Sequence, residues 1–250
     1  MTVLGIETAT TTCGAAVVTE DGVAAETHLH VPRVHARRLT PLVEDVLAHA
    51  ECLPDDGDAG DRLAALDGIA VSMGPGSYTG LRIGVSTAKG WALAHDIPVS
   101  GIPSLEAHCA RLLPFAAPGD VLCGLIDARR DEVYAAAYRV SAANDSSSEH
   151  DLISHADTTA LSVEDLPDWL ESIPGRLWVV GDGGDKSRTV LRTAFDASLS
   201  VLAPADLPPS AAAVAQRGRS RLLNGDADNL ARLEPLYVKD VHATPAPSPF

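Results

Sequence analysis

Several short stretches of the 250-residue sequence carry side chains that could do chemistry. The richest is Gly74-Pro75-Gly76-Ser77-Tyr78-Thr79-Gly80-Leu81-Arg82-Ile83-Gly84, between a strand pattern and a helix pattern. Backbone N–H groups and the helix dipole favour an anion at such a junction. The glycine spacing is not that of a Walker A loop, and no Gly-Lys-Ser/Thr follows. Pro75 occupies the place of the first glycine of a nucleophile elbow, which excludes a serine hydrolase built on Ser77. Two readings stay open. Gly74, Gly76, Ser77 and Gly80 cradle a phosphate, or the glycines only supply positive φ to a tight turn.

Glu7-Thr8-Ala9-Thr10-Thr11-Thr12 places one carboxylate at a strand end, followed by a hydroxyl-rich turn. Glu7 and Thr8 could face a nucleotide phosphate, or the hydroxyls could hold the turn's own backbone. Asp127-Ala128-Arg129-Arg130-Asp131-Glu132 concentrates five charges at a hairpin end. Asp127, Arg129 and Arg130 there either keep the tip soluble or grip a partner's carboxylate or phosphate. His28, His30 and His35 invite a metal, but no further ligand is spaced to complete a site. A solvated strand edge is the expected reading, and no metal is assigned.

The elements that must position these groups follow from composition and periodicity. Apolar residues make up 46% and aromatics only 4%, so alanine and aliphatic side chains must fill the core. Nineteen Lys+Arg against 34 Asp+Glu give a formal charge of −15, which opposes direct binding of a nucleic-acid backbone. No apolar run is long enough to span a bilayer, and no signal peptide is read at the start. Cys13, Cys52, Cys109 and Cys123 lack C-x-x-C spacing and are expected as buried thiols in a reducing cytoplasm.

Residues 2–7, 13–19 and 23–30 read as a three-stranded meander. A helix over 35–51 carries Leu39, Leu42, Val43, Val46, Leu47 and Ala50 on one stripe. Residues 53–62 read as an acidic loop, 66–73 as a strand, 80–95 as a helix and 98–102 as a strand. A helix over 104–113 is expected to be capped by Ser104. The order then repeats: strands 121–127 and 132–140, a third strand at 152–155, a helix over 163–172, strand 177–180, a glycine turn at 181–184 and a helix over 186–195. Ser210 caps a last helix to Leu223, and 245–250 form a frayed tail. The expected fold is α/β, with mixed sheets in two similar halves, residues 1–115 and 116–209, followed by a helix and tail over 210–250.

The helix over 80–95 is apolar on two opposite sides. Leu81, Val85, Ala88 and Ala92 form one stripe, and Ile83, Thr87, Gly90 and Ala94 the other. A single sheet cannot cover both. The second, small-residue side would take a neighbouring helix, either within the chain or from a partner.

These segments together resemble the TsaB (YeaZ) family of bacterial tRNA threonylcarbamoyladenosine biosynthesis proteins. The resemblance is carried by Leu4-Gly5-Ile6-Glu7-Thr8, His35-Ala36-Arg37-Arg38-Leu39, the 74–84 segment with Ala88-Lys89-Gly90, the 127–134 hairpin, and Pro235-Leu236-Tyr237-Val238. It implies an actin-like ATPase (ASKHA) fold of two βββαβα-type domains. It further implies a non-catalytic, cytoplasmic subunit that binds the transferase TsaD and works with the ATPase TsaE. ATP or ADP and Mg²⁺ would belong to the complex, tRNA would be met only through it, and the chain alone would form a homodimer. Glu7 stands where many relatives have Asp, one methylene shorter. The partner surface is expected on the helices over 35–51 and 80–95, through His35, Leu39, Leu42 and Val46 and through Ile83, Thr87, Gly90 and Ala94. The rival expectation is an autonomous small ASKHA ATPase or phosphotransferase using Glu7 and the two glycine loops.

Overall fold

A strand buried along its whole length must lie inside a sheet covered on both faces. Val3–Glu7 (β1) is such a strand in the computed structural model, which describes residues 1–54, 58–142, 151–195, 199–202 and 206–239. Thr12–Thr19 (β2) and Gly22–His30 (β3) follow, then helices His35–His49 (α1) and Ala59–Ala64 (α2). Next come Gly68–Gly74 (β4), helix Tyr78–His95 (α3), Val99–Pro103 (β5) and helix Ser104–Ala110 (α4). The second half runs Val121–Asp127 (β6), Glu132–Val140 (β7), Leu152–Ser162 (β8), helix Leu166–Glu171 (α5) and Leu177–Val180 (β9). Helices Asp182–Lys186 (α6) and Arg188–Phe195 (α7), strand Ser200–Leu202 (β10) and helix Ala211–Leu223 (α8) complete it.

The first sheet has the order β3-β2-β1-β4-β5 and the second β8-β7-β6-β9-β10. In each, the first strand pairs antiparallel with the second and parallel with the fourth. This duplicated mixed sheet is the ASKHA topology expected from the sequence. On one face of the first sheet, α1 and α3 bury Leu39, Val43, Leu47, Val85 and Ala88 against Leu4, Ile6 and Val71. On the other face α8 presents Ala211, Ala212, Val214 and Ala215 to Val3, Ala16 and Ala70. Small residues on both sides let this helix lie close to the sheet, which is where the alanine-rich composition is used. Helix α4 joins the halves: its Ala107 packs with the first sheet's core, and its Leu105 and Cys109, with Leu112 just beyond it, pack with the second's.

Several local expectations need correction. The acidic loop contains α2, because Asp58 accepts from Gly60 and Asp61 N–H and Asp61 accepts from Asp58 N–H in a reciprocal cap. Ser104 does not cap α4; Pro103 holds that position, and the Ser104 hydroxyl accepts the Gly74 N–H at 3.1 Å. The third strand of the second half extends to Ser162, because it pairs along β7 as an edge. The helix expected over 186–195 is two helices that meet at Ser187, and β10 was not anticipated. Cys52 is exposed, whereas Cys13, Cys109 and Cys123 are buried. Ser210 caps α8 by accepting the Ala213 N–H, as expected. Most of the polar stretch 141–151 and the tail 245–250 fall outside the described residues. Among the described residues no helix is long and apolar enough to cross a membrane.

Candidate functional site

The parallel strands of the two sheets point their loops at one cleft of about 900 Å³. One wall comes from Ala9, Thr10 and Thr11, the glycine loop from Gly76 to Gly80, and His35; the other comes from Asp127, Ala128, Arg129, Tyr134 and Asp182. The topology thus brings together the hydroxyl-rich turn, the glycine loop and the charged hairpin. Lining a cleft does not make their groups available to a ligand.

Behind the first wall, several polar groups bond the chain itself, while Glu7 Oε2 and the Thr8 hydroxyl are buried without a partner. Glu7 is fully buried and accepts the Ala9 N–H at 2.6 Å. The Thr8 N–H donates to the Ser72 hydroxyl at 3.1 Å, and Thr12 N–H to the Thr10 hydroxyl at 3.2 Å. His35 Nε2 bonds the Thr12 carbonyl at 3.1 Å. The Ser77 N–H is taken by the Ala9 carbonyl at 2.6 Å, Leu81 N–H by the Ser77 carbonyl, and Gly80 N–H by the Ser77 hydroxyl.

Only Gly74 in this loop needs positive φ, at 118°. Gly76 and Gly80 are glycine for a different reason. A Cβ on Gly76 would stand 2.2 Å from the Ala9 carbonyl oxygen, and one on Gly80 2.1 Å from that of Thr8. One on Gly84 would meet the Thr8 hydroxyl at 2.2 Å. The loop is a packing joint between α3 and the end of β1. Of the residues expected to bind phosphate, Gly76, Ser77 and Gly80 line the cleft, while Glu7, Thr8 and Gly74 lie buried behind it.

The second wall is also internally paired. Asp127 accepts Lys186 Nζ at 2.7 Å and the Arg129 N–H at 2.8 Å, and its other oxygen lies 3.5 Å from the Arg129 guanidinium. Partial burial pushes the Asp127 carboxyl up, but Lys186 and Arg129 outweigh it and hold it below its ordinary value. Burial holds Asp182 above its own, although it accepts the Asp127 N–H at 2.9 Å. Arg129 and Arg130 form the tip with φ of 67° and 51°. Asp182 and Lys186 are the first and last residues of α6, which stands where a glycine turn was expected over 181–184, and only the fold brings them to the hairpin. His28 and His30 lie exposed on β3, and among the described residues no three His, Cys, Asp or Glu side chains cluster as a metal site.

Two buried groups give this region a pH signature. Burial raises Glu7 from 4.5 to about 7, opposed by hydrogen bonds from Ala9, Ser72 and Thr10. Burial, with the Arg111 charge, lowers His108 from 6.5 to about 4, and neither ring nitrogen has a partner. Glu7 stays protonated longer in the folded chain, so its stabilising contribution is present below pH 4.5 and lost as pH rises to about 7. The His108 contribution is present above pH 6.5 and lost as pH falls to about 4. Each spans roughly 3 kcal/mol, so the two offset one another over the shared window. Glu7→Gln should leave stability rising with pH there, and His108→Phe should leave it falling. Urea unfolding from pH 4 to 8 checks this; parallel curves for parent and both variants would contradict it.

The expected partner surface divides cleanly. Leu39, Leu42 and Val46 are buried in the first core, and His35 is buried against Thr12 at the cleft, so none is exposed to a partner on α1, which corrects that half of the assignment. Their apolar stripe is satisfied by the sheet, and α1 leaves Ala36, Arg37, Thr40 and Glu44 outside. On α3, Leu81, Val85, Ala88 and Ala92 are buried. Ile83 and Thr87 are half-buried, Gly90 and Ala94 are exposed, and Leu93 is 76% exposed. A Cβ on Gly90 would meet nothing within 4 Å. Beside this face lies a shallow groove of about 580 Å³ between Ala36 and Tyr78, Arg82, Ile83 and Thr87.

A family model described as TsaD, tRNA N6-adenosine threonylcarbamoyltransferase, matches residues 29–244. The chain belongs to this family, in its TsaB (YeaZ) branch. The tRNA threonylcarbamoyladenosine biosynthesis protein TsaB of Escherichia coli is 29% identical over 96% of this chain and 95% of its own length. TsaB of Bacillus subtilis is 38% identical over 56% of each chain, so this sequence spans about half of that relative. The solved structure of YeaZ from Pseudomonas aeruginosa superposes with a TM-score of 0.72 at 25% identity, covering 95% of this chain and all of that one. Family membership explains why the chain keeps an ASKHA cleft. Of the TsaB (YeaZ) segments named from the sequence, His35–Leu39 lies on α1, 78–90 on α3, and the glycine loop and the 127–134 hairpin line the cleft, while Leu4–Thr8 is the buried β1 and its end.

Proposed function

We propose that the chain is a docking subunit in the formation of threonylcarbamoyladenosine on tRNA. It binds the homologous transferase, and catalysis resides in that partner. The observation that carries this reading is the uncovered side of α3, where Ile83, Thr87, Gly90, Leu93 and Ala94 leave an apolar, low-relief surface. Surfaces of this kind are usually covered by a partner. The transferase model matches this chain, so the partner would share its fold and offer a related helix pair. Two such pairs can bury roughly 1,200–2,000 Å² in total, the size of an ordinary specific interface. Without the transferase, a second copy of the chain takes its place.

The committed groups of the cleft support a non-catalytic role. The Ser77 amide and hydroxyl and one oxygen of the Glu7 carboxyl serve the chain's own backbone. ATP, Mg²⁺ and the TsaE ATPase then act at the level of the complex, in the cytoplasm. A charge of −15 leaves tRNA binding to the partner.

Reconstitution tests this reading. Transferase, ATPase, tRNA and threonylcarbamoyl donor should give modified tRNA only when this chain is added, and the chain alone should give none. The isolated chain should hydrolyse ATP at the rate of a buffer blank and should not shift tRNA at submicromolar concentration. Turnover well above blank that Glu7→Gln removes would instead establish an autonomous ATPase.

A further inference from the structure

The two halves are joined at the back of the cleft by α4, and at its rim by the chain that follows α8. Lys89 of α3 donates to the Leu233 carbonyl at 2.9 Å, and Leu233 is buried in the first core. The Leu236 N–H donates to the Met73 carbonyl at 2.6 Å, and the Leu236 carbonyl lies 2.6 Å from where a Cβ on Gly74 would stand. The Tyr237 ring packs on Tyr78 with centroids 5.2 Å apart. Two residues later the segment is on the other half. The Lys239 ammonium contacts the Glu132 carboxylate, reaches the Ala128 carbonyl at 3.5 Å and lies 5.5 Å from the Tyr134 ring centroid. Tyr78, Ala128 and Tyr134 all line the cleft.

We propose that residues 236–239 form a latch that sets the opening of the cleft, anchored on the glycine loop and released at Lys239. The two ends are held differently. The 233–237 end has backbone hydrogen bonds, a buried leucine and a ring contact. The other end rests on an ion pair whose side chains are 27% and 41% exposed. An exposed pair of this kind holds weakly and exchanges readily with water. Breaking it frees the hairpin tip while leaving the anchored end and both cores intact. The ties that remain, α4, the return of the chain to α8 with the Arg111–Pro208 contact, and the Arg217–Asp151 ion pair, lie away from this rim, and the halves can turn about them. The latch does not depend on which partner covers α3.

Distances between spin labels on the two halves test it. Glu44→Cys on α1 and Glu171→Cys on α5, in a Cys52→Ser background, place both labels at exposed positions. Burial suppresses the other thiols, with Cys123 pushed up to about 12. The labelled parent should give one narrow distance distribution. Lys239→Ala and Glu132→Gln should each broaden it toward longer separations without lowering the melting temperature. Exchanging the charges, with Lys239→Glu and Glu132→Lys together, should narrow it again. An unchanged distribution in both single variants would overturn the latch, and so would a charge exchange that leaves the broadened width.

Discussion

Gly80→Ala should destabilise the chain by about 3 kcal/mol or more, the upper range for forcing an atom into a packed joint. Gly90→Ala, ten residues later in the same helix, should stabilise it by about 0.5–1 kcal/mol. The two glycines are chemically identical, and their surroundings decide the sign. The new methyl at 80 would stand 2.1 Å from the Thr8 backbone oxygen, which cannot turn aside as a side chain could. To admit it, the start of α3 must leave the end of β1, which breaks the Ser77–Ala9 hydrogen bond that closes the joint. At 90 the methyl meets nothing, and only the backbone entropy of glycine is removed. Urea denaturation of both variants beside the parent is the measurement. Equal effects would show that the glycine loop is not a close-packed joint.

Ala94→Arg should leave the fold within about 0.5 kcal/mol of the parent, as surface substitutions do. The same change should weaken association with the transferase by several kcal/mol, because it places an unpaired guanidinium inside the contact. The first expectation follows from the exposure of Ala94 and the second from the docking assignment, so one variant separates the two. Calorimetric titration and a thermal melt on the same sample read both. Thr40→Arg on the exposed side of α1 tests how far the contact extends.

The sequence made the sheets legible because both central strands are continuous apolar runs and the helices carry clear stripes. Less was legible where the signal is weak or non-local. Residues of β8 beyond 155, such as Asp157, Thr158 and Thr159, look like loop, because an edge strand has little to bury. The stripe on α1 announces burial without saying what does the burying. From the stripe alone Leu39, Leu42 and Val46 read as partner contacts, although β2 and its neighbours already cover them. For α3 two opposite stripes were visible, and only the structure shows that the side with Gly90 and Ala94 is the one left open. The glycine loop misled for a related reason: φ can be argued from residue type, but a carbonyl 2 Å from an absent methyl cannot. Lys239 and Glu132 are 107 residues apart, and no local pattern joins them.

Hydrogen exchange on the chain with and without the transferase tests the docking assignment most directly. The account predicts slower exchange in the α3 segment 83–95 and in the exposed first turns of α1, with the second sheet unchanged. Protection confined to the cleft hairpin and the second half, with α3 exchanging as it does alone, would contradict it.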